Sequence, residues 1–152
     1  MAGVVVLGVA LVATLVLGAV WQRRNGRLRT RARSAQIEPS VFDNVGAGPG
    51  QQHATIVQFS SAFCQPCVAT RRIIEQVVGM VDGVTHVEVD AESHLEAVRT
   101  LGIMRTPTVL VLDASGHEVK RASGTPRKAD LIAVLGPLLP PRVDTGTQGS
   151  VG

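Results

Sequence analysis

Strand-like and helix-like patterns of apolar residues alternate through the middle of this 152-residue chain. Strand-like runs occupy 54–59, 84–90 and 108–112, and 117–122 returns beside the last of them after a four-residue turn. The helix-like runs are 65–80, 92–101 and a last one opened by Pro126. A strand–helix–strand unit makes parallel neighbours, whereas a short turn makes an antiparallel pair. The pattern therefore predicts an α/β domain with a central mixed β-sheet and helices on both faces.

The chain begins with an apolar segment outside this domain. Residues 2–20 carry no charge, and as a helix they would span roughly 28 Å, close to the thickness of a bilayer's hydrocarbon core. We therefore predict a transmembrane helix at 2–21, with Trp21 at the interface. A cleaved signal peptide is the alternative, but no Lys or Arg precedes the apolar run. The other predicted units are a basic juxtamembrane linker at 22–36, a folded domain at 37–139 that opens on a short helix at 38–45, and a disordered tail at 140–152.

Positive charge is concentrated in one short segment. Six arginines lie between residues 23 and 33 with no acidic residue among them, whereas residues 34–152 carry nine Lys or Arg against twelve Asp or Glu. Because the positive-inside rule keeps such a flank in the cytoplasm, we expect a single-pass cell-membrane protein whose domain lies in the cytoplasm beside the lipid bilayer. A net negative domain without tyrosine argues against a nucleic-acid partner.

The only two cysteines of the chain, Cys64 and Cys67, lie at the start of a helix-like run. Unpaired N–H groups and the helix dipole at such a position favour a thiolate, and a second thiol nearby can resolve a mixed disulfide. A zinc site needs about four ligands, and none of the histidines has metal spacing relative to the pair. We therefore expect thiol–disulfide exchange and no metal. An inert buried dithiol and half of a metal site are the alternatives.

Two segments resemble the thioredoxin family. Residues 58–67, Gln-Phe-Ser-Ser-Ala-Phe-Cys-Gln-Pro-Cys, are similar to the active-site strand, loop and helix of thioredoxins. Residues 105–108, Arg-Thr-Pro-Thr, are similar to the cis-proline loop, and Gly124 lies where the family has a glycine after its last strand. The resemblance covers roughly residues 53–138. It implies a thioredoxin-like three-layer fold, here preceded by one N-terminal transmembrane helix.

The resemblance also implies roles for the residues of the Cys-x-x-Cys segment. Cys64 is expected to be the nucleophile, and Cys67, one helical turn later and more buried, the resolving thiol. Pro66 costs little at an early helix position, because its missing N–H would have no partner there, and it stiffens the loop. Phe63, Gln65 and Pro66 are the expected substrate-binding residues beside the thiols.

The second implied element is the proline loop. Pro107 is expected to follow a cis peptide bond and to orient the backbone of Thr106 toward an extended substrate segment, which would pair with it as a strand does. An ordinary proline at the start of a strand is the alternative.

Several positions depart from the family pattern. Thioredoxins typically have a buried aspartate at the position of Gln58 and a lysine near that of His86, and this pair helps to move the proton of the buried thiol. Gln58 does not titrate, so we expect proton transfer through water or His86, with Gln58 and His86 possible hydrogen-bond partners across adjacent strands. For His86 an ordinary surface position is the alternative. Ser60 and Phe63 replace tryptophans common in the family.

Together these features predict a membrane-anchored thiol–disulfide oxidoreductase that reduces protein disulfides. Its expected partners are a disulfide-containing protein substrate, an upstream thiol reductant protein and the lipid bilayer. No cofactor beyond the dithiol is expected, because the glycines lack the spacing of a dinucleotide loop. Two alternatives stay open: a domain of reversed topology acting on exported proteins, and a non-catalytic binding module with the same fold.

Overall fold

A computed structural model describes residues 2–24, 26–30, 40–47 and 52–140 of the chain. The helices are α1 (Ala2–Arg24), α2 (Ser40–Asp43), α3 (Gln65–Val78), α4 (Leu95–Leu101) and α5 (Lys128–Leu135). The strands are β1 (Ala54–Ser60), β2 (Val84–Asp90), β3 (Thr108–Asp113) and β4 (Glu118–Ser123). From β1 onward, this order is the one that the apolar pattern predicts.

The four strands form one mixed sheet in the order β2-β1-β3-β4. β1 and β2 are parallel, since α3 carries the chain from the end of one strand back to the start of the next. β1 pairs with β3, and β3 with β4, in antiparallel fashion. The predicted mixed sheet is therefore confirmed, and β1 lies in its interior with a hydrogen-bonded neighbour on each side.

Hydrophobic clusters on the two faces of the sheet confirm the three-layer arrangement. On one face, Phe59 packs in a cluster with Phe42 of α2 and Leu101 of α4. On the other face, Ile56 packs in a cluster with residues of α3 and α5, among them Leu131. Each of these side chains is fully buried. Because successive side chains of β1 point to opposite faces, the run at 54–60 serves both clusters and is buried almost throughout.

Several element boundaries differ from those predicted. Helix α4 begins at Leu95 rather than 92, because the carboxylate of Asp90 accepts the Glu92 backbone N–H (3.0 Å) and the Ser93 hydroxyl, which holds residues 91–93 in a turn. Helix α5 begins at Lys128, two residues after Pro126. The short helix predicted at 38–45 spans only Ser40–Asp43 within the described residues.

The predicted transmembrane segment coincides with helix α1. Its apolar side chains are largely exposed from Val5 to Val20. Among the residues that the structure describes, no helix combines the length and the apolar character that a membrane span requires.

The segment predicted as a linker is partly docked on the domain. Residues 26–30 run beside β4, where Arg29 forms an isolated antiparallel bridge with Arg121. Residues that pack on the sheet therefore include 26–30, which precede the predicted start of the domain at 37. Residues 25 and 31–36 of that linker, and residues 141–152 of the tail predicted as disordered at 140–152, lie outside the described residues.

Candidate active site

The two cysteines form a disulfide at the N-terminus of α3. Cys64 is the N-cap residue, and its Sγ accepts the backbone N–H of Cys67 at 3.2 Å. Cys67 lies in the first turn of the helix, and Pro66 occupies one of its first two positions, where no intrahelical bond is lost. The S–S distance is 1.99 Å. A backbone N–H at the helix N-terminus therefore donates to the sulfur of Cys64. The same hydrogen bond would stabilise a thiolate at that position.

The two sulfurs differ in their access to solvent. Cys67 is 2% exposed, whereas Cys64 is only partly buried. Phe63 on one side of Cys64 is fully exposed, and Gln65 and Pro66 on the other are exposed as well. A disulfide substrate can thus reach Cys64 more readily than Cys67, and the residues that it would meet first are the three predicted as its contacts.

The loop before β3 lies next to the Cys-x-x-Cys loop. The Thr106–Pro107 peptide bond is cis, as the resemblance implied. The hydroxyls of Ser61 and Thr106 are 2.9 Å apart, which ties the two loops together. Pro107 is buried, and its carbonyl accepts the N–H of Gly124 at 2.7 Å. Three segments distant in sequence are therefore joined around one end of the sheet.

Beneath the disulfide, Gln58 forms the centre of a buried polar network. Its side chain is fully buried on β1, and its Nε2 donates to the carbonyl of Cys67 at 3.0 Å and to Ser60 Oγ at 2.8 Å. Because the Cys67 carbonyl is only an acceptor, the amide nitrogen must face it. Gln58 thus holds the first turn of α3 through the backbone of Cys67.

The network continues to a carboxylate on the neighbouring strand. Glu88 is the register partner of Gln58 on β2, and its Oε1 accepts the Ser60 hydroxyl at 2.6 Å. Arg71 of α3 binds both carboxylate oxygens, at 2.6 and 2.7 Å. Arg71 lies one turn beyond Cys67 on the same face of the helix. A partly exposed charged pair therefore borders the buried network, displaced by one strand from the buried acid of the family pattern.

This pair sets the ionisation of Glu88. The Arg71 hydrogen bonds lower the pKa of Glu88 below its usual value, the Ser60 hydroxyl adds to this effect, and partial burial opposes it. A surface cleft of about 370 Å³ opens beside the pair and is also lined by Ser61 and Asp90. Glu88 is therefore an ionised carboxylate at neutral pH, next to space that water can enter.

His86 lies near this network but is not bonded to Gln58. Its register partner on β1 is Ile56, two residues from Gln58, so the predicted cross-strand bond between Gln58 and His86 is wrong. Within the described residues, the Nε2 of His86 and the Oε1 of Gln58 are buried without a hydrogen-bond partner. Burial lowers the pKa of His86, against the attraction of the nearby carboxylates of Glu88 and Glu75.

The side chains that could ligate a metal are dispersed in the described part of the chain. No group of three or more His, Cys, Asp or Glu side chains there is placed to hold an ion. His94 instead has its Nδ1 3.0 Å from the Asp90 carbonyl, and His117 lies 3.8 Å from the Asp113 carboxylate.

Comparison with known proteins places the chain in a family. The thioredoxin family model matches residues 35–136, so this chain belongs to the thioredoxin family. It is 30% identical over 69 residues to thioredoxin H2-1 of Oryza sativa subsp. japonica. That match covers 45% of this chain and 49% of the rice protein, so the chain spans about half the length of the curated relative that it matches.

Solved thioredoxin structures share the fold. Thioredoxin f2 of Chlamydomonas reinhardtii superimposes with a TM-score of 0.56 at 21% identity, covering 70% of this chain and 96% of the other. Oxidised mitochondrial thioredoxin 3 of Saccharomyces cerevisiae gives 0.53 at 15% identity, with coverages of 64% and 88%. The family match and the Cys-x-x-Cys pair together support thiol–disulfide oxidoreductase chemistry.

Sequence reasoning missed Glu88, Arg71 and Ser60 as parts of the site. The alternation at 84–90 does put His86 and Glu88 on one face of a strand, and helical spacing puts Arg71 above Cys67. The pattern does not give the register between β1 and β2, which decides whether position 86 or 88 faces Gln58.

Proposed function

We propose that the protein is a thiol–disulfide oxidoreductase that reduces disulfides in protein substrates. The observation that carries this proposal is the paired placement of the cysteines. Cys64 is accessible and accepts a helix N-terminal N–H, while Cys67 is 2% exposed and bonded to it. An accessible nucleophile with a shielded partner is what sequential thiol exchange needs.

The proposed reaction proceeds in two exchanges. The Cys64 thiolate attacks one sulfur of the substrate disulfide, so a mixed disulfide forms and the other substrate sulfur leaves as a thiolate. Cys67, once deprotonated, attacks the Cys64 sulfur and releases the second substrate thiol. The substrate gains two electrons, and the chain is left with the Cys64–Cys67 disulfide. An upstream thiol reductant protein returns the two electrons, and we propose no further cofactor.

We propose that substrate binds across the two loops. Thr106 offers the backbone edge, and Pro107 is buried beside it. Phe63, Gln65 and Pro66 are exposed around the nucleophile. An extended substrate segment would then pair with the Thr106 backbone, while its disulfide lies over Cys64.

We propose that the proton of Cys67 leaves through the cleft beside Ser60 and Glu88. Gln58 holds the Cys67 backbone but does not titrate, and the ionised Glu88 attracts water and cations into the cleft. His86 is the other candidate relay, since its neutral ring is partly buried on the same strand face as Glu88.

A reduction assay tests the enzymatic proposal. The full chain, reduced beforehand, should reduce a small soluble disulfide, and Cys64→Ser should have no activity above the buffer rate. Cys67→Ser should accumulate a mixed disulfide with a peptide disulfide, seen as a mass increase. Wild-type activity no higher than that of Cys64→Ser would contradict the proposal and favour a non-catalytic binding module.

We also propose that residues 2–21 anchor the protein in a cell membrane with the domain in the cytoplasm. The uncharged run at 2–20 and the six arginines after it support this proposal. Leu11→Arg, at the centre of the run, costs about 3 kcal/mol of insertion free energy and should release protein from the membrane fraction. A C-terminal reporter that works only after export should be inactive, and an active one would favour the reversed topology.

A further inference from the structure

We infer that residues 26–30, hereafter the edge segment, hold the active-site end of the sheet close to the C-terminal end of α1. The Cys64–Cys67 pair would then serve disulfides that lie close to the bilayer surface, in juxtamembrane segments of membrane proteins. This inference rests on the membrane anchor proposed above and adds to it the direction in which the active site faces.

The edge segment is joined to β4 by backbone pairing. Arg29 and Arg121 exchange both of their N–H···O bonds, at 2.7 and 2.9 Å, and the N–H of Gly26 donates to the Ser123 carbonyl at 2.8 Å. Leu28, half-buried, packs against the cluster under α3 and α5. The segment thus covers part of the edge that β4 would otherwise leave open.

The edge segment starts at the active-site end of the sheet. Gly26 has φ +77°, and a Cβ at this residue would lie 1.9 Å from the Thr125 carbonyl oxygen, so its backbone is pressed against that loop. The Thr125 hydroxyl is 3.0 Å from that of Thr70, which donates to the Pro66 carbonyl at 2.9 Å. Gly26 is therefore connected to the Cys-x-x-Cys loop through two threonines.

The opposite end of the sheet lies well away from this contact. Thr108 and Ser123 pair at the active-site end of β3 and β4, whereas the turn that contains Ser115 closes the far end. Six strand residues separate the two ends by about 20 Å. Helix α1 ends at Arg24, and two residues of extended chain reach at most about 7 Å to Gly26. The end of the proposed anchor is thereby tied to the active-site end and not to the turn.

The surface around the disulfide suits a substrate near the bilayer. Phe63 is fully exposed and Met104 is 91% exposed, and both lie in the loops that border the site. Both side chains would contact the apolar residues that end a membrane span, where a juxtamembrane segment leaves the hydrocarbon core.

Fluorescence quenching in vesicles tests the orientation. With Trp21→Phe as background, Phe63→Trp places a single reporter at the active-site end, and Ser115→Trp places it at the far end. The full chain is reconstituted in phosphatidylcholine–phosphatidylserine vesicles that carry spin-labelled headgroups. We expect stronger quenching of the Phe63→Trp protein. Equal quenching, or stronger quenching of the Ser115→Trp protein, would overturn the inference while leaving the anchor intact.

Releasing the edge segment should remove this preference. Gly26→Val forces a side chain into the Thr125 carbonyl and should displace the edge segment from the loop. Arg29→Pro should displace it independently, because it removes the backbone N–H that donates to the Arg121 carbonyl. Gly46→Val is the matched control, because Gly46 also has positive φ but open space around its Cα. The released variants should lose the quenching difference, and the control should keep it.

A functional measurement uses one peptide disulfide, attached to lipid either directly or through a long polar spacer. Wild type should reduce the directly attached peptide faster than the peptide on the spacer. Gly26→Val should lower the ratio of these two rates at least about threefold, since holding the active site near the surface raises the effective concentration of a surface disulfide. An unchanged ratio would overturn the inference. Failure of the chain to pellet with vesicles would overturn the anchor and this inference together, and failure to reduce a soluble disulfide would instead overturn the enzymatic proposal.

Discussion

The two sides of the Cys64–Cys67 disulfide differ in how far they follow the thioredoxin pattern. On the outer side, Pro107 follows a cis bond and Thr106 is hydrogen-bonded to Ser61, as a substrate loop beside the nucleophile requires. On the inner side, an uncharged Gln58 replaces the family's aspartate, and the nearest charge of the network is Glu88 on the next strand. The contrast indicates that the loops on the outer side follow the family pattern, whereas the residue beneath Cys67 departs from it.

Returning an acid to position 58 is the strongest test of that contrast. Gln58→Glu is nearly isosteric, but it places a carboxylate where Nε2 now faces the Cys67 carbonyl at 3.0 Å and Glu88 Oε1 at 3.4 Å. Burial and the like charge should raise the pKa of the introduced acid. The variant should lose about 2–3 kcal/mol of unfolding free energy at pH 7, measured by urea denaturation.

The loss of unfolding free energy in Gln58→Glu should depend on pH. Because the folded-state pKa of the new acid is raised, its cost is absent below the unfolded pKa and grows as pH rises toward the folded one. Adding Glu88→Gln should recover part of the stability, since it removes the like charge. A Gln58→Glu protein as stable as wild type across this range would show that Glu88 does not act on position 58.

A smaller change can weaken the contact between the two loops on the outer side of the disulfide. Thr106→Val keeps the shape of the side chain but removes the hydroxyl 2.9 Å from that of Ser61. We expect a loss of about 1 kcal/mol and a higher KM for a peptide disulfide, because the two loops are no longer tied together. A double-mutant cycle with Ser61→Ala measures the coupling, and additive effects would mean that the hydroxyl pair contributes nothing.

How much of this site the sequence predicts depends on the kind of signal. The order of elements along the chain and the mixed sheet follow from apolar spacing, which is local, and the place of Pro107 beside Cys64 is what the resemblance to thioredoxins implies. The Gln58–Glu88 contact depends on the register between parallel strands that α3 separates, and a shift by two residues would have put His86 there instead. The docking of Gly26 on Thr125 is a long-range backbone contact, which no residue pattern encodes.

Neutralising Glu88 tests whether the inner charge matters for stability. Glu88→Gln keeps an acceptor for Ser60 but loses the ion pair with Arg71, and we expect a small loss of unfolding free energy at pH 7, since solvent screens this exposed pair. The lowered pKa of Glu88 means that wild type has this stability above the ordinary value of 4.5 and loses it as pH falls through the folded pKa. The two proteins should therefore converge in acid, and a difference that persists below that range would point to packing instead of charge.

The smallest expected effect concerns His86, and it separates the two candidate proton routes. Burial lowers the pKa of His86, so the unfolded chain takes up a proton more readily than the folded one below the ordinary value of 6.5. Wild type should lose stability as pH falls through that window, and His86→Asn should lose less. The same variant measures the relay: if the pH dependence of the reduction rate is unchanged while the stability profile flattens, His86 is a buried ring and the proton leaves through the cleft beside Glu88. If both profiles change together, His86 takes part in the transfer.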